Sequence, residues 1–132
     1  MTVLDTSAAI DYLLGAGVSS QVEALLSAAP ATAPDLLVFE VLAVLRRAVG
    51  RRELTQARAG AALDDLGEMT LDLFPTLPLR SRAWELRRTM TAGDALFVAL
   101  AEALGEPLAT KDGGLARAAA RHADVEVLVL GA

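Results

Sequence analysis

Short apolar segments alternate with longer amphipathic segments along the chain, and this alternation limits the fold more than any other feature. The short segments predict strands, at residues 2–5, 31–33, 70–74, 107–110 and 126–130. The longer segments predict helices, at residues 7–14, 19–29, 34–50, 55–67, 79–90, 94–104 and 115–122. Strands and helices that alternate in this way predict an α/β domain, with a short, mostly parallel central sheet and helices on both of its faces.

Length, composition and charge narrow the functional class. A chain of 132 residues suits one domain, which we expect to span residues 1–132. The sequence has no signal-peptide pattern and no run of about 18 apolar residues, so we expect a cytoplasmic protein without a membrane span. It has no cysteine and one histidine, which excludes thiolate sites and argues against histidine-rich zinc sites. The net charge of −5 argues against a protein that coats nucleic acid.

Glu40 is the polar side chain that most needs an explanation. It interrupts the apolar run from Leu36 to Leu45 in the third predicted helix. Such a helix is expected to be buried on most of its faces, so the carboxylate should point into protein. Because burying an unpaired carboxylate costs roughly several kcal/mol, proteins supply a partner, a proton or a metal ion. No Lys or His lies nearby in the sequence, so Glu40 predicts a functional site.

Three aspartates stand at boundaries between predicted elements. Asp5 ends the first strand, Asp112 follows the fourth strand, and Asp94 opens the sixth helix. In α/β folds, active sites form where the carboxyl ends of the strands meet the starts of the following helices. We therefore expect the three aspartates to gather at one edge of the sheet, together with Glu40.

Four carboxylates in one place need a compensating charge. Two carboxylates roughly 4 Å apart repel by about 4 kcal/mol at an effective dielectric near 20. Oxygen ligands without His or Cys favour Mg²⁺ or Mn²⁺ over Zn²⁺, and a water bound to such a cation can attack a phosphodiester. Thr6, Ser7 and Thr110 are candidates to hold the acids or a bound water by hydrogen bonds.

Each acid also has an ordinary structural explanation. Asp5 and Asp94 could be helix N-caps, since acids favour helix N-termini. Asp112 precedes two glycines, which is typical of a turn. Glu40 could be a surface residue on a rotated helix. The functional prediction therefore depends on the four acids together and on none of them alone.

In these residues the chain closely resembles the PIN-domain ribonucleases, and among them the VapC-like toxins of bacterial toxin–antitoxin pairs. The likeness covers nearly the whole chain. Its motifs are Val-Leu-Asp5-Thr-Ser, Glu40 in Leu-Leu-Val-Phe-Glu-Val, Asp94-Ala-Leu-Phe-Val-Ala-Leu-Ala-Glu and Pro-Leu-Ala-Thr-Lys-Asp112. The resemblance implies a single PIN-like domain in which these four acids are the catalytic metal ligands. It assigns supporting roles to Thr6 or Ser7 and to Thr110.

The resemblance also implies an activity and partners. It implies endonucleolytic cleavage of RNA that depends on Mg²⁺ or Mn²⁺, a homodimer, and neutralisation by a small antitoxin that docks over helices near the site. Clustered basic residues usually form solvated helix faces. As a hypothesis, we assign RNA contacts to four basic side chains, those of Arg46, Arg47, Arg51 and Lys111.

The chain departs from the family pattern at two places. Relatives often carry an aromatic residue just before the third acid, where this chain has Gly93. This change alters a pocket wall and bears on substrate choice. Some relatives carry a further acid shortly after the fourth, where this chain has Gly113, Gly114, Leu115 and Ala116. Asp112 is then the only acid of that segment, so we expect one tightly bound metal ion.

Other functional classes fit less well. A receiver domain needs paired acids after its first strand, but Leu4 precedes Asp5, and it needs a phosphoacceptor aspartate near mid-chain. A haloacid-dehalogenase-type phosphatase needs a second aspartate where Ser7 stands. A PIN-like domain without catalysis, acting as an RNA- or protein-binding module, stays open, although the presence of all four acids weighs against it.

Overall fold

Five short parallel strands form one sheet in the computed structural model, which describes residues 1–131. The strands are β1 (Thr2–Leu4), β2 (Ala31–Pro34), β3 (Leu71–Phe74), β4 (Leu108–Thr110) and β5 (Val127–Val129). The helices are α1 (Thr6–Leu14), α2 (Ser19–Ala28), α3 (Leu36–Gly50), α4 (Gln56–Glu68), α5 (Arg80–Glu85), α6 (Ala92–Leu104) and α7 (Gly113–His122). The predicted α/β class is confirmed. Ala132, the last residue of the predicted domain, lies outside the described residues.

The strand order is β3-β2-β1-β4-β5, and every neighbouring pair is parallel. The chain moves outward from β1 to β3, returns past β1 to β4, and continues outward to β5. Because crossover connections are right-handed, this reversal places α1 to α4 on one face of the sheet and α5 to α7 on the other. The order also differs from the 2-1-3-4-5 order of receiver domains.

Small apolar side chains let the helices pack closely on the sheet. Val3, Leu108 and Ala109 are fully buried, as expected for strands of a parallel sheet that is covered on both faces. Helix α6 packs against β1, β2 and β4. Six of its seven positions from 95 to 101 are buried, namely Ala95, Phe97, Val98, Ala99, Leu100 and Ala101. This central helix is therefore held rigidly behind the carboxyl edge of the sheet.

Helix α6 starts earlier than the sequence predicts. Thr91 is its N-cap, and the hydroxyl oxygen of Thr91 accepts a hydrogen bond from the backbone N–H of Asp94 at 3.2 Å. The helix begins at Ala92, so Asp94 lies inside the first turn and does not open the helix. The prediction that Asp94 opens this helix is wrong, because a threonine hydroxyl already fills the capping position.

Helix α3 is buried on one side only. Leu37, Val41 and Leu45 face the core at helical spacing, whereas Phe39 is 66% exposed and Leu42 is 47% exposed. The expectation that this helix is buried on most of its faces is therefore wrong, and Glu40 is partly buried. Within residues 1–131, no helix has the length and apolar character needed to cross a membrane.

Two predicted helix boundaries are also wrong. Pro34 is the last residue of β2 and lies opposite Phe74 of β3, so the following helix starts only at Leu36. The predicted helix 79–90 follows a 3₁₀ turn, Leu77–Leu79, and ends at Glu85. There, side chains bond the terminal carbonyl groups: Arg87 donates to the Trp84 carbonyl, and Thr89 donates to that of Leu86.

Arg82 connects α5 to α6 and to the last residue of α7. Its Nε donates to Glu102 Oε1 at 2.7 Å, and its Nη2 donates to the His122 carbonyl at 3.2 Å. Glu102 Oε2 also accepts the backbone N–H of Asp124 at 3.0 Å. The hydrogen bond from Arg82 lowers the pKa of Glu102 below its ordinary value of 4.5.

Replacing Glu102 with glutamine (Glu102→Gln) should lower the free energy of unfolding by about 1 kcal/mol at pH 7, because it removes the charge from a partly exposed ion pair. Since the folded-state pKa is lowered, this stabilisation is complete above pH 4.5 and is lost as the pH falls through the lower folded value. Urea unfolding at neutral pH and at about pH 3 measures the difference. Glu53→Gln, at an exposed position, is the matched control; a Glu102 effect that is undiminished in acid would contradict the assignment.

Candidate active site

The carboxyl ends of β1 and β4 meet at the point where the chain reverses its direction across the sheet. The helices that follow these strands, α1 and α7, lead to opposite faces, which leaves a crevice of the kind that binds ligands in α/β folds. A pocket of about 360 Å³ opens there. Its lining includes the four predicted acids and two of the predicted supporting residues, namely Asp5, Glu40, Asp94, Asp112, Thr6 and Ser7.

Asp5 is both a helix cap and a pocket residue. It is 5% exposed, and its Oδ1 accepts the backbone N–H of Ala8 at 3.0 Å, which caps α1. The Ser7 hydroxyl donates to both carboxylate oxygens, at 2.9 and 3.0 Å. Burial raises the pKa of Asp5 above its ordinary value although these hydrogen bonds lower it, and the charge of Asp112 raises it further. The capping explanation is therefore correct and does not compete with a role in the pocket.

Thr110 connects two of the acids. It is fully buried at the end of β4, and its hydroxyl donates to Asp5 Oδ2 at 2.5 Å. The hydroxyl oxygen of Thr110 also accepts the backbone N–H of Asp112 at 3.0 Å. Asp112 in turn caps α7, because its Oδ1 accepts the backbone N–H groups of Gly114 and Leu115, at 2.9 and 3.1 Å. Thr110 and the cap of α7 thus set the position of Asp112 relative to Asp5.

Glu40 reaches the pocket from α3. Its Oε1 accepts a hydrogen bond from the Thr6 hydroxyl at 2.5 Å. Its other oxygen lies against Gly93, where a Cβ atom would stand only 2.9 Å from Glu40 Oε2. The absence of a side chain at position 93 therefore leaves the space in which the Glu40 carboxylate lies.

Asp94 experiences the charge of the other three acids. Burial is the main reason why its pKa is raised, and the carboxylates of Asp112, Asp5 and Glu40 raise it further, while the Thr91 hydroxyl lowers it. All four carboxylates therefore belong to one electrostatic site.

Asp11 also lines this pocket, although it is not among the predicted site residues. It is 9% exposed, and both of its carboxylate oxygens accept hydrogen bonds from Lys111 Nζ, at 2.8 and 2.9 Å. Lys111, a predicted RNA contact, lies in the same lining. The spacing between Ser7 and Asp11 could have indicated the acid, since residues four apart share one side of a helix.

The three predicted arginine contacts lie outside the pocket lining. Arg46, Arg47 and Arg51 are exposed on α3 and just beyond its end. Arg47 and Arg51 follow Glu40 by seven and eleven positions, which places them on the same side of the helix axis as the acid. Arg46 and Arg47 also line a hollow with the exposed Phe39 and Leu42.

The donor chemistry of the pocket fits Mg²⁺ or Mn²⁺. Across the described residues, no three acid, His or Cys side chains have the spacing of an assembled metal site. Mg²⁺ does not need such an assembly, because it keeps several waters and binds through one or two carboxylates. The pocket offers carboxylate and hydroxyl oxygens as donors. Burial is the main cause of the raised pKa values of Asp5 and Asp94, and the neighbouring carboxylates, whose charge a cation would neutralise, raise them further.

Comparison with known proteins finds one matching family and several similar chains. The PIN domain family matches residues 2–121. Ribonuclease VapC1 of Mycobacterium tuberculosis is 41% identical over 128 residues, which cover 96% of each chain. Ribonuclease VapC12 of the same species is 34% identical and covers 97% of this chain and 99% of its own. VapC ribonuclease Mb0985 of Mycobacterium bovis is 38% identical over 112 residues, 85% of this chain and 86% of its own.

Replacing Asp94 with asparagine (Asp94→Asn) should raise the melting temperature by a few degrees at pH 7 in the presence of a chelator. The raised folded-state pKa means that ionised Asp94 destabilises the folded protein at neutral pH. The gain should shrink as the pH falls through that raised pKa, because the wild-type carboxyl then becomes neutral. Thermal unfolding is measured at pH 7 and at pH 3.8, the ordinary pKa of an aspartate. The matched control is Asp64→Asn, at an exposed position of α4. A variant less stable than the wild type at pH 7 would contradict the repulsion.

Proposed function

The chain belongs to the PIN-domain family, and we propose that it is a VapC-type endoribonuclease that hydrolyses RNA phosphodiester bonds with Mg²⁺ or Mn²⁺. The observation that carries the proposal is the convergence of four carboxylates on one pocket at the carboxyl edge of the sheet. The names of the relatives, all ribonucleases, support the reaction class.

We assign metal ligation and catalysis to Asp5, Glu40, Asp94 and Asp112. When bound, a divalent cation would lower the pKa of a coordinated water and neutralise charge on the phosphate. The chain's own contribution is to hold the carboxylates in place. Hydroxyl groups donate to Asp5 and to Glu40, so that these acids keep one orientation without a basic partner.

RNA reaches an acidic pocket only if positive charge lies around it. We propose that Arg46, Arg47 and Arg51, which are exposed on α3 and just beyond its end, contact the RNA backbone. The chain as a whole carries a net charge of −5, so attraction has to be local. Binding should therefore weaken steeply as salt is added, because each phosphate contact releases counterions.

Membership of this family also suggests a biological role. We propose that the protein is the toxin of a toxin–antitoxin pair, that a small antitoxin neutralises it, and that it forms a homodimer. The exposed Phe39 and Leu42 on α3 support a surface that another chain covers, and so, separately, does the exposed Trp84 on α5. A short reading frame next to this one, whose product restores growth on co-expression, would identify the antitoxin. Light scattering measures the oligomeric state.

Asp5→Asn and Glu40→Gln should each lower RNA cleavage by about a hundredfold or more, which corresponds to about 3 kcal/mol of barrier. Both changes remove a charge from the pocket and keep the shape of the side chain. The melting temperature should not fall, which separates lost chemistry from lost folding. Cleavage of single-stranded RNA in Mg²⁺ is the assay.

The matched controls for this experiment are Asp64→Asn and Glu53→Gln, which make the same chemical changes at exposed positions. Both control proteins should cleave RNA as the wild type does. Undiminished cleavage by the two pocket variants, or by the wild type in excess chelator, would contradict the proposal. A wild-type protein that binds RNA without cleaving it would instead indicate a catalytically silent binding module.

Gly93→Ala should lower cleavage by about tenfold, equivalent to about 1.4 kcal/mol, while the protein stays folded. The new methyl group would stand 2.9 Å from Glu40 Oε2, so the carboxylate has to move away from its place beside Thr6. Alanine also favours a helix over glycine, so stability should not decrease. Gly60→Ala on α4 is the matched control, since nothing lies within 4 Å of its added Cβ. Equal activity of both variants would mean that Glu40 adjusts freely.

A further inference from the structure

Lys111 is the only lysine in a chain whose other eleven basic side chains, histidine aside, are arginines. Lysine and arginine differ chemically: an ammonium group is a compact charge with three donors, whereas a guanidinium is a planar fork. The single ammonium lies in the lining of the acidic pocket, next in sequence to Asp112. It is also the only basic side chain of that lining, which carries five carboxylates, those of Asp5, Asp11, Glu40, Asp94 and Asp112.

Asp11 holds this ammonium group in place. Lys111 Nζ lies 2.8 Å from Asp11 Oδ1 and 2.9 Å from Oδ2, so two of its three N–H groups have the same partner. Within residues 1–131, no third acceptor bonds it. The Lys111 side chain is 41% exposed, so the remaining N–H is accessible to a ligand in the pocket.

The link between α1 and α2 packs closely against the Asp11 carboxylate. The backbone N–H of Val18 donates to Asp11 Oδ2 at 3.1 Å. Gly17 has a φ of 51°, and a Cβ atom added there would stand 2.0 Å from the same oxygen. The link between α1 and α2 thus accepts this carboxylate only with glycine at position 17. A solvent-exposed ion pair contributes little to stability and needs no such arrangement.

We propose that Lys111, positioned by Asp11, binds a phosphate oxygen of the RNA backbone beside the cleaved bond. This inference rests on the proposed function and adds Asp11 as a positioning residue. Asp11 presents the ammonium at the pocket wall with one donor unused. Without Asp11, the other carboxylates of the pocket would attract the ammonium, which would remove it from the substrate and compete with a bound cation.

The sign of the Asp11→Asn effect discriminates this role from simple electrostatics. Removing a negative charge from the pocket should strengthen RNA binding if only the overall field matters. If Asp11 positions Lys111, the same change should instead raise KM, by about fivefold to tenfold, with a smaller change in kcat. Asp64→Asn, at an exposed position, makes the same charge change away from the pocket and should leave KM within about twofold.

Lys111→Met tests the phosphate contact itself, because methionine keeps the length of the side chain without its charge. It should raise KM for a single-stranded RNA oligonucleotide by about tenfold. The slope of log Kd against log salt concentration, measured in a Glu40→Gln background, should become shallower by about 0.7, the value for one phosphate contact to a single strand. Thermal unfolding verifies that each variant is folded.

A readout that does not depend on activity comes from the single lysine. Biosynthetic incorporation of lysine labelled with ¹³C at Cε labels Lys111 alone, because it is the only lysine of the sequence, and keeps all three N–H donors of its ammonium group. The Lys111 signal should shift when the oligonucleotide is added to the Glu40→Gln protein, and it should become narrower and shift in the Asp11→Asn protein without RNA. An identical signal in the Asp11 variant would overturn the positioning role.

These experiments distinguish failure of the proposed function from failure of the phosphate contact and of the positioning role. A wild-type protein that neither binds nor cleaves RNA refutes the proposed function, and the phosphate contact with it. Normal wild-type cleavage combined with unchanged KM and salt slope in Lys111→Met refutes the contact alone. Tighter RNA binding by Asp11→Asn than by the wild type shows that the overall field, and not positioning, governs the pair.

Discussion

The Thr110 hydroxyl between Asp5 and Asp112 is the contact on which the arrangement of the pocket depends. It exists because β1 and β4 are parallel neighbours, with Leu4 opposite Ala109. The backbone N–H of Asp5 extends this ladder by donating to the Ala109 carbonyl at 3.1 Å. A slip of one residue in the register would turn Thr110 to the other face of the sheet. Strand pairing therefore determines where the two acids stand.

The Thr110 contact holds acids together although their burial and mutual repulsion destabilise their ionised forms. The pKa values of Asp5 and Asp94 are raised, mainly by burial and partly by neighbouring carboxylates, so their ionised forms destabilise the folded chain. Rigid packing behind the pocket offsets this strain, because α6 is buried along most of its length against three strands. Functional sites commonly lower the stability of a protein in this way, because their geometry is needed for activity.

Much of the fold was predictable from local patterns. The five strands and most helix positions follow from periodicity, and the order of strands and helices gave the class. The start of α3 was not predictable from Pro34, because strand pairing with Phe74 outweighed the preference of proline for a first helical turn. The early end of α5 depends on side-chain bonds to carbonyl groups, which apolar spacing does not reveal.

The candidate site was predictable only in part. Three acids were recognisable from their places beside strands and helix starts, and Glu40 from its apolar neighbours, although the exposure of Phe39 shows that the burial argument was too strong. The pairing of Asp11 with Lys111 joins residues 100 positions apart, and no local pattern contains it. Sequence periodicity reports which side of a helix faces inward, but long-range pairs become visible only when the strands and loops are assembled.

Two glycines make room for two of the carboxylates that line the pocket. Gly17 accommodates Asp11, and Gly93 accommodates Glu40, each at a distance that a Cβ atom would not allow. In both cases the acid packs against backbone, so its position is determined by the shape of the chain as well as by its hydrogen bonds. A pocket built in this way can hold several like charges close together. An aromatic residue at position 93 would require a different position for Glu40, so that departure from the family pattern concerns the geometry of the acids before it concerns the substrate.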